Sequence, residues 1–462
     1  MQILFGYDAR AHKFDHKRVP VVWDSRRLIN GHCMIAGKSG TGKTHTLRKM
    51  IASLQRQAGK NLRVHIMDAH GDIDIPGACT VKFSESTQYG FNPLQVNEDP
   101  DFGGVRKRLQ SFIGALNRTS RKLGTKQESC LRALLQDIYS ANGFHDGQPA
   151  TWRLNDGVAR KNPKKHPTMS DAVRFAQFKL KALYLGTSHK AVGALEALNK
   201  KMAQLHARAR QQNKSFDPGE KERVQKEVES LGSAAIDLFI EHVGAIQTGH
   251  EAGDILRYGN KDVLRSVAER LENLEAIGIF KPVAPPFDAA NPVWRYDIKS
   301  LAADEKRLFV SFVLERIFHA AIERGVVDDV VEVIVLDEAH LYLDDDPDNI
   351  TNILSKEARK FGIALLCASQ SPTHFTDDFL SNVGAKIILG LDEMYWADTA
   401  RKMKVKAEYL TWIAPQKSLV VQFNNRGETR SEFKCVFQEE TMNAIDQMNQ
   451  RRAGAKGPHG AA

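Results

Sequence analysis

Short apolar runs mark the two ends of the chain. "HCMIA" (32–36), "RVHIMD" (63–68), "VIVLD" (333–337), "GIALLCAS" (362–369), "AKIILGL" (385–391) and "SLVVQF" (418–423) are β-rich and apolar on both faces. "PVWRYDI" (292–298) adds a further strand. Runs of this kind suit parallel strands buried between helices. The stretches between them are helix-sized, which is the pattern of an open α/β sheet. A helix is predicted over 304–324, with Phe309, Val313, Ile317 and Ala320 on one face.

The middle of the chain, 94–292, has an almost wholly helical pattern. "NKDVLRSVAERLENLEAIG" (260–278) sets Val263, Val267, Leu271 and Leu274 along one face and ends at Gly278. "DPGEKERVQKEVESL" (217–231) opens with Asp217 as a candidate N-cap and Pro218 at the first helical position. "VARKNPKKHPT" (158–168) carries Pro163 and Pro167 among basic residues and reads as a loop. The expected division is therefore 1–93 and 293–440 as two parts of one α/β core, 94–292 as an inserted all-α lobe, and 441–462 as a flexible, Gly/Ala-rich tail.

Composition narrows this little. At 42% hydrophobic and 26% charged residues over 462, the chain is ordinary globular protein. It has no membrane-length apolar run, and "MQILFGYDARAHKF" lacks a signal-peptide stretch, so a cytoplasmic location is expected. Cys33, Cys79, Cys130, Cys367 and Cys435 are scattered, odd in number and form no CxxC pair, against both a disulfide framework and a zinc site. Cys33 and Cys367 sit inside apolar runs and read as buried thiols. The net charge of +9 fits a nucleic-acid partner without demanding one.

The chemistry is carried by "AGKSGTGKTHTL" (36–47), in which Gly37, Gly42, Lys43 and Thr44 have the spacing GxxxxGK[ST] between a strand-like and a helix-like stretch. Glycines let the backbone wrap phosphates with N–H groups turned inward, and the helix N-terminus adds a favourable dipole. Gly37, Lys38, Ser39, Gly40, Thr41, Gly42, Lys43, Thr44 and His45 are the candidate cradle for ATP. Lys43 neutralises the β- and γ-phosphates and Thr44 offers a hydroxyl to Mg²⁺. The acidic partner is Asp337, which supports Mg²⁺, followed by Glu338, which polarises the attacking water. Gln370, at the end of "LLCASQ", is placed to sense the γ-phosphate or orient the water.

"LDEAH" carries the letters of a DEAH-box helicase. That reading is weak here. Such enzymes need a second RecA-like lobe, and only 92 residues (462 − 370) follow Gln370. Lys43 and Asp337 are also 294 positions apart (337 − 43), with a helical lobe between them. An ABC-type clamp needs an LSGGQ-like signature before the acidic strand, and "DIKSLAADEKRLF" has none.

The sequence resembles the HerA–FtsK superfamily of hexameric pumping ATPases, and within it HerA-type translocases and the ATPases of conjugation and type IV secretion. The likeness rests on "NGHCMIAGKSGTGKT" (30–44), "HIMDAHGDI" (65–73), "FNPLQ" (91–95), "WRYDIKSLAADEKRLFVSFVLERIF" (294–318) and, most specifically, "EARKFGIALLCASQSPTHFTDDFLSNVGAKIILGLDE" (357–393). Ala69 and Asp72 stand where HerA proteins have Pro and Glu. The resemblance implies a RecA-like core in a homo-hexameric ring, ATP at subunit interfaces, substrate in a central channel, and an arginine on the γ-phosphate. It points to Arg359 in the Arg-Lys-Phe-Gly segment, with Arg426 or Arg430 as a neighbour's arginine. HerA proteins carry an N-terminal β-barrel before the motor. Here 36 residues precede Gly37, and a bare motor with a helical lobe is expected.

A DNA motor needs cations facing its channel. The candidate sets are Arg118, Arg121, Lys122 and Lys126; Arg160, Lys161, Lys164 and Lys165; Lys200, Lys201, Arg208 and Arg210; and Arg401, Lys402, Lys404 and Lys406. Charge runs are more often solvated faces. The expected function is an ATP-hydrolysing ring motor that translocates DNA, double-stranded above all, with a nuclease or a conjugation/secretion protein as partner. The alternative is a secretion-type energiser that moves or assembles protein.

Overall fold

The computed structural model describes residues 1–58, 61–119, 121–158, 163–185, 189–212, 218–246 and 250–454. The chain forms two compact units, one of Met1–Phe91 with Val283–Ala462 and one of Asn92–Pro282.

The first unit is built on one sheet of eleven strands: β1 Gln2–Asp8, β2 Pro20–Asp24, β3 Cys33–Ala36, β4 Arg63–Asp68, β5 Cys79–Lys82, β6 Val293–Asp297, β7 Glu332–Leu336, β8 Ile363–Ser369, β9 Ala385–Ile388, β10 Ser418–Phe423 and β11 Lys434–Phe437. Their order is β2-β1-β11-β10-β9-β3-β8-β7-β4-β6-β5. The run from β9 to β5 is parallel throughout. From β2 to β9 every pairing is antiparallel. The parallel strands are the doubly apolar runs of the sequence. Every residue of β3, β7 and β8 is buried. Ile35, Val64, Val335 and Leu366 pack against Leu47, Met50, Ile51 and Leu54 of the helix Lys43–Ala58. Each such side chain contributes roughly 1.5–3 kcal/mol by leaving water.

Several boundaries differ from the sequence reading. Strand β7 covers 332–336, so Asp337 lies just past the strand rather than at its end. Glu332 opens that strand buried, its charge met by His65 at 3.0 Å and Arg324 at 2.9 Å. On the helix Ala303–Arg324, Ala320 is exposed and Ala321 is buried in its place. Strands β1, β2, β5 and β11 escaped the reading because they are edge or antiparallel strands with mixed burial. The expected tail from 441 is instead helical to 454, in Glu439–Gly454, anchored by buried Met442. Residues 455–462 and Asp217 lie outside the described residues. Cys33 and Cys367 are fully buried free thiols, and burial raises both pKa values.

The second unit contains helices and no strand among its described residues. Its core joins Leu109, Phe112 and Leu116 of Val105–Thr119, Leu131, Leu134 and Ile138 of Thr125–Ala141, and Leu264, Val267, Leu271 and Leu274 of Lys261–Ala276. The helix that opens at Pro218 runs to Gly244, well past 231. The lobe ends at 282 rather than 292. Residues 283–292 belong with the sheet: Gly90 N–H donates to Val283 O at 2.9 Å, and Arg63 holds the carbonyls of Ala289 and Asn291. Among the described residues no helix is long and apolar enough to cross a membrane.

Candidate nucleotide site

In an open parallel sheet the crevice outside the carboxyl ends of the strands is the natural ligand site. Strand β8 lies between β3 and β7, so the turns after β3, β8, β7 and β4 converge there. They carry Gly37, Gln370, Asp337 and Asp72. Gly37 N–H donates to Ser369 O at 3.1 Å, which joins the phosphate loop directly to the end of β8. Lys38 N–H donates to Gly390 O at 2.9 Å, joining it to the turn after β9.

The loop is shaped by its glycines. Gly40 and Gly42 have φ of +79° and +101°, where a side chain is strained. Gly37 has a different reason: a Cβ there would stand 2.4 Å from Thr41 Oγ1. Thr41 in turn donates to Lys38 O at 2.7 Å. Lys43 Nζ donates to Gly37 O at 2.8 Å, folding the ammonium back over the loop where a phosphate chain would lie. Lys38, Ser39 and His45 are exposed. The loop is also covered by a residue that sequence reasoning missed. Gln416, itself at φ +63°, donates to Gly40 O at 3.1 Å.

The acids differ in what they can do. Asp68 is fully buried and already satisfied. It accepts from the N–H groups of Gly71 and Ile73 (3.2 Å for the latter) and pairs with Arg295 at 2.6 Å. It holds the turn 69–73 in shape. Asp72, exposed at the tip of that turn, accepts from Thr44 Oγ1 at 3.3 Å. Oxygens of Asp68, Asp72 and Asp337 lie within 4.8 Å of one another. Burial, then the charges of Glu338 and Asp72, push the Asp337 carboxyl up to about 6. A divalent cation relieves such crowding, and a hydroxyl with carboxylates is the hard-oxygen set that suits Mg²⁺. Thr44, Asp72 and Asp337 are therefore the residues able to hold it, directly or through water. Asp72 stood inside the HerA-like segment without a role. Asp68 ends an apolar strand much as Asp337 follows one, and that parallel was the available signal.

Glu338 is buried and left-handed at φ +48°, an uncommon conformation for a residue with a side chain. Its Oε2 is 3.2 Å from His340 Nδ1, yet buried and without a well-aligned hydrogen bond. Gln370 is exposed just beyond buried Ser369.

The three candidate arginines stand elsewhere. Arg359 precedes β8 and is exposed at the strand's opposite end, about 20 Å away at ~3.3 Å per residue. Arg426 follows β10, whose last residue Phe423 pairs with Ala385 at the start of β9. Its Nε donates to Leu28 O at 2.9 Å. Arg430 is exposed in the same connection. None of the three lies at the nucleotide crevice of its own chain.

Among the basic sets, Lys164 is buried with Asp156 at 2.9 Å and stacks 4.2 Å from the Phe144 ring, which removes it as a DNA contact. Lys402 donates to Phe375 O at 2.6 Å and pairs with Asp377 at 3.3 Å, so it braces a turn instead. Arg208 pairs with Glu227 and Arg401 with Asp398. Arg118 is half-buried and already has an interaction partner. Arg121, Lys122, Lys126, Lys165, Lys200, Arg210, Lys404 and Lys406 are exposed and Lys201 half-buried. Arg160 and Lys161 lie outside the described residues.

The family described as "Helicase HerA, central domain" matches residues 12–87, which include the phosphate loop and Asp72. No curated protein matches the chain by sequence. VirB4 of Thermoanaerobacter pseudethanolicus has the same fold at a TM-score of 0.57 and 16% identity, over 95% of this chain and 96% of that one. The plasmid coupling protein TrwB, solved with the ATP analogue ADPNP, is similar at a TM-score of 0.50 and 12% identity, over 95% of each chain. The chain thus has a RecA-like sheet with a phosphate loop and acidic turns at one sheet end, shares its fold with VirB4 and TrwB, and matches the HerA central domain across residues 12–87.

Proposed function

We propose that the chain hydrolyses Mg²⁺-bound ATP in this crevice and uses the cycle to translocate DNA as a homo-hexameric ring. One observation carries the catalytic part: Lys43 and Thr44 share a sheet end with Asp337 and Glu338, although 294 positions (337 − 43) separate Lys43 from Asp337. In this reading the loop's N–H groups and Lys43 hold the phosphates. Thr44 and Asp337, with Asp72, support the metal. Glu338 orients the attacking water and Gln370 reads the γ-phosphate. TrwB's capture with an ATP analogue supports the nucleotide class.

The ring is supported by the arginines. Arg359, Arg426 and Arg430 stand at the sheet end away from their own crevice, so any of them that reaches a γ-phosphate does so on a neighbouring copy. DNA is supported by exposed cations, Arg121, Lys122 and Lys126 among them, for which no ion pair is seen among the described residues. Such contacts are phosphate-directed and indifferent to base sequence. A second reading, a secretion-type energiser of protein transfer, draws on the inserted helical lobe, because secretion-type members of the family also insert one. ATP turnover measured with no DNA, single-stranded DNA and linear double-stranded DNA separates the two. Stimulation by double-stranded DNA is expected, and equal rates in all three would overturn the DNA reading.

A further inference from the structure

Behind Glu338 lies a cluster that the proposed reaction does not use. His340 Nδ1 stands between two acceptors, Glu338 Oε2 at 3.2 Å and Ser369 Oγ at 3.4 Å. The same Ser369 hydroxyl is 3.0 Å from His374 Nδ1. The rings of His340 and His374 lie 5.2 Å apart, and Tyr395 meets His374 edge-on at 6.0 Å. The backbone of the His374 turn is fixed: Lys402 donates to Phe375 O at 2.6 Å, and Ser371 caps Thr373 N–H at 3.2 Å.

We infer that His340 is a positioning residue for Glu338, and that Ser369 makes its action depend on the phosphate loop. The inference rests on the reading of Glu338 as the residue that orients water. An imidazole Nδ1 carries one proton and can give it to one acceptor at a time. Burial and the neighbouring His340 hold His374 below the ordinary imidazole pKa, so it is neutral at pH 7 and its Nδ1 can accept. Ser369 then donates to His374 and turns a lone pair toward His340. In that state His340 bonds the serine and Glu338 is released toward the crevice. When the serine turns away, His340 Nδ1–H donates to the Glu338 carboxylate instead and holds it back.

Ser369 is the natural place for the phosphate loop to act. Its carbonyl accepts Gly37 N–H at 3.1 Å while its hydroxyl faces the two histidines. Gly37 has no slack, since even a Cβ would stand 2.4 Å from Thr41 Oγ1. A shift of the loop around phosphate is therefore passed to the end of β8, and from there to His340. Glu338 is suited to such control. Its Oε2 is buried without an aligned donor, so no hydrogen bond at that oxygen locks the carboxylate in place.

The test uses the full chain with Mg²⁺ and two readouts, steady-state ATP turnover and affinity for a fluorescent ATP analogue. The His340 side chain is 35% exposed, so replacing it does not open the core. His340→Leu, which has no donor, leaves Glu338 released in both states and is expected to raise kcat by up to about ten-fold, the scale of one hydrogen-bonded positioning contact, with analogue affinity within about two-fold. His340→Asn, whose amide nitrogen can occupy the place of Nδ1, is expected to bring kcat most of the way back to the wild-type value. Ser369→Ala is expected to slow the wild-type chain and to add nothing in the His340→Leu background. Equal rates for the Leu and Asn variants overturn the inference, as does a Ser369→Ala effect that simply adds to the His340→Leu effect. Glu338→Gln separates this from the underlying reading. If that variant still turns over, the assignment of Glu338 fails. If it is inactive while His340→Leu runs at the wild-type rate, only the role of His340 fails.

Discussion

The hydroxyl of Thr44 lies 3.3 Å from Oδ2 of Asp72, so the last residue of the phosphate loop bonds to the turn after β4 and not to Asp337. Arg48 reinforces this by donating to the Asp72 carbonyl at 2.6 Å. Thr44 is the residue expected to meet Mg²⁺, and in the proposed reading Asp72 would be its oriented partner there. Asp72→Asn is expected to raise the Mg²⁺ concentration needed for half-maximal ATP turnover about ten-fold, the scale of losing an orienting partner. Turnover at saturating Mg²⁺ should fall much less. A Mg²⁺ titration of both proteins reads this, and coincident curves would remove Asp72 from the metal's surroundings.

Asp68 is a different kind of acid. It is fully buried and bonded to Arg295 at 2.6 Å, while the Arg295 side chain is 11% exposed. Removing the arginine strands a carboxylate in the core, which costs about 3–5 kcal/mol. Removing the charge of the acid leaves the guanidinium still paired with exposed Asp74 at 3.6 Å and the turn's N–H groups still able to bond an amide oxygen. Arg295→Met is therefore expected to lower the thermal unfolding midpoint more than Asp68→Asn. The reverse order in a melting experiment would mean that the turn 69–73, rather than the ion pair, carries the stability.

The basic sets divide in the same way. Lys164 has a side chain 1% exposed against Asp156, so Lys164→Met is expected to destabilise the helical lobe by about 3 kcal/mol or more and to leave the salt dependence of DNA binding unchanged. Arg121→Ala, Lys122→Ala and Lys126→Ala change stability little, since these residues are exposed. On the DNA reading each that touches a phosphate reduces the slope of log K against log salt by about one. Filter binding of linear double-stranded DNA across a salt series measures it. Unchanged slopes in all three would exclude this segment from the DNA path.

This division shows where the sequence is legible. The parallel strands were found because burial on both faces forces continuous apolar runs, as in "VIVL" and "ALLCA". The phosphate-loop pattern and Glu338 stand out in the sequence because the chemistry expected of them fixes residue type and spacing, and the structure sets them at one sheet end. Strands β1, β2 and β11 were not found, because an antiparallel strand at the border of a sheet needs only alternate apolar positions, and short alternations are common. Nor could a run such as "NPKKHP" reveal that Lys164 turns inward to Asp156 while Lys165 faces water. Charge is legible in a sequence and its direction is not. The same limit hid Gln416, which reaches Gly40 from 376 positions away. The lead-in residue His32 shows a further case, in which a motif-like position has a structural use.

His32 is fully buried one residue before β3, and its Nδ1 accepts the N–H of Leu365 at 3.0 Å. Its Nε2 is buried without a hydrogen-bond partner. Burial alone lowers its pKa from 6.5 to about 4. The folded chain therefore keeps this ring neutral at pH values where the unfolded chain protonates it. The sign follows: above pH 6.5 the ring costs nothing, and stability is lost as pH falls from 6.5 towards 4, by up to about 3 kcal/mol at ~1.4 kcal/mol per pH unit. Other groups titrate in this window, so the informative quantity is a difference between two proteins. His32→Asn keeps an acceptor for Leu365 N–H and removes the titration. It is expected to melt lower than wild type at pH 7, because ring volume is lost from the core, and to narrow that gap by about 2 kcal/mol at pH 5. Thermal melts of both proteins at the two pH values decide the matter. A gap that stays constant would mean that the folded chain protonates His32 as readily as the unfolded one does, and would place the acid sensitivity of the core on other groups.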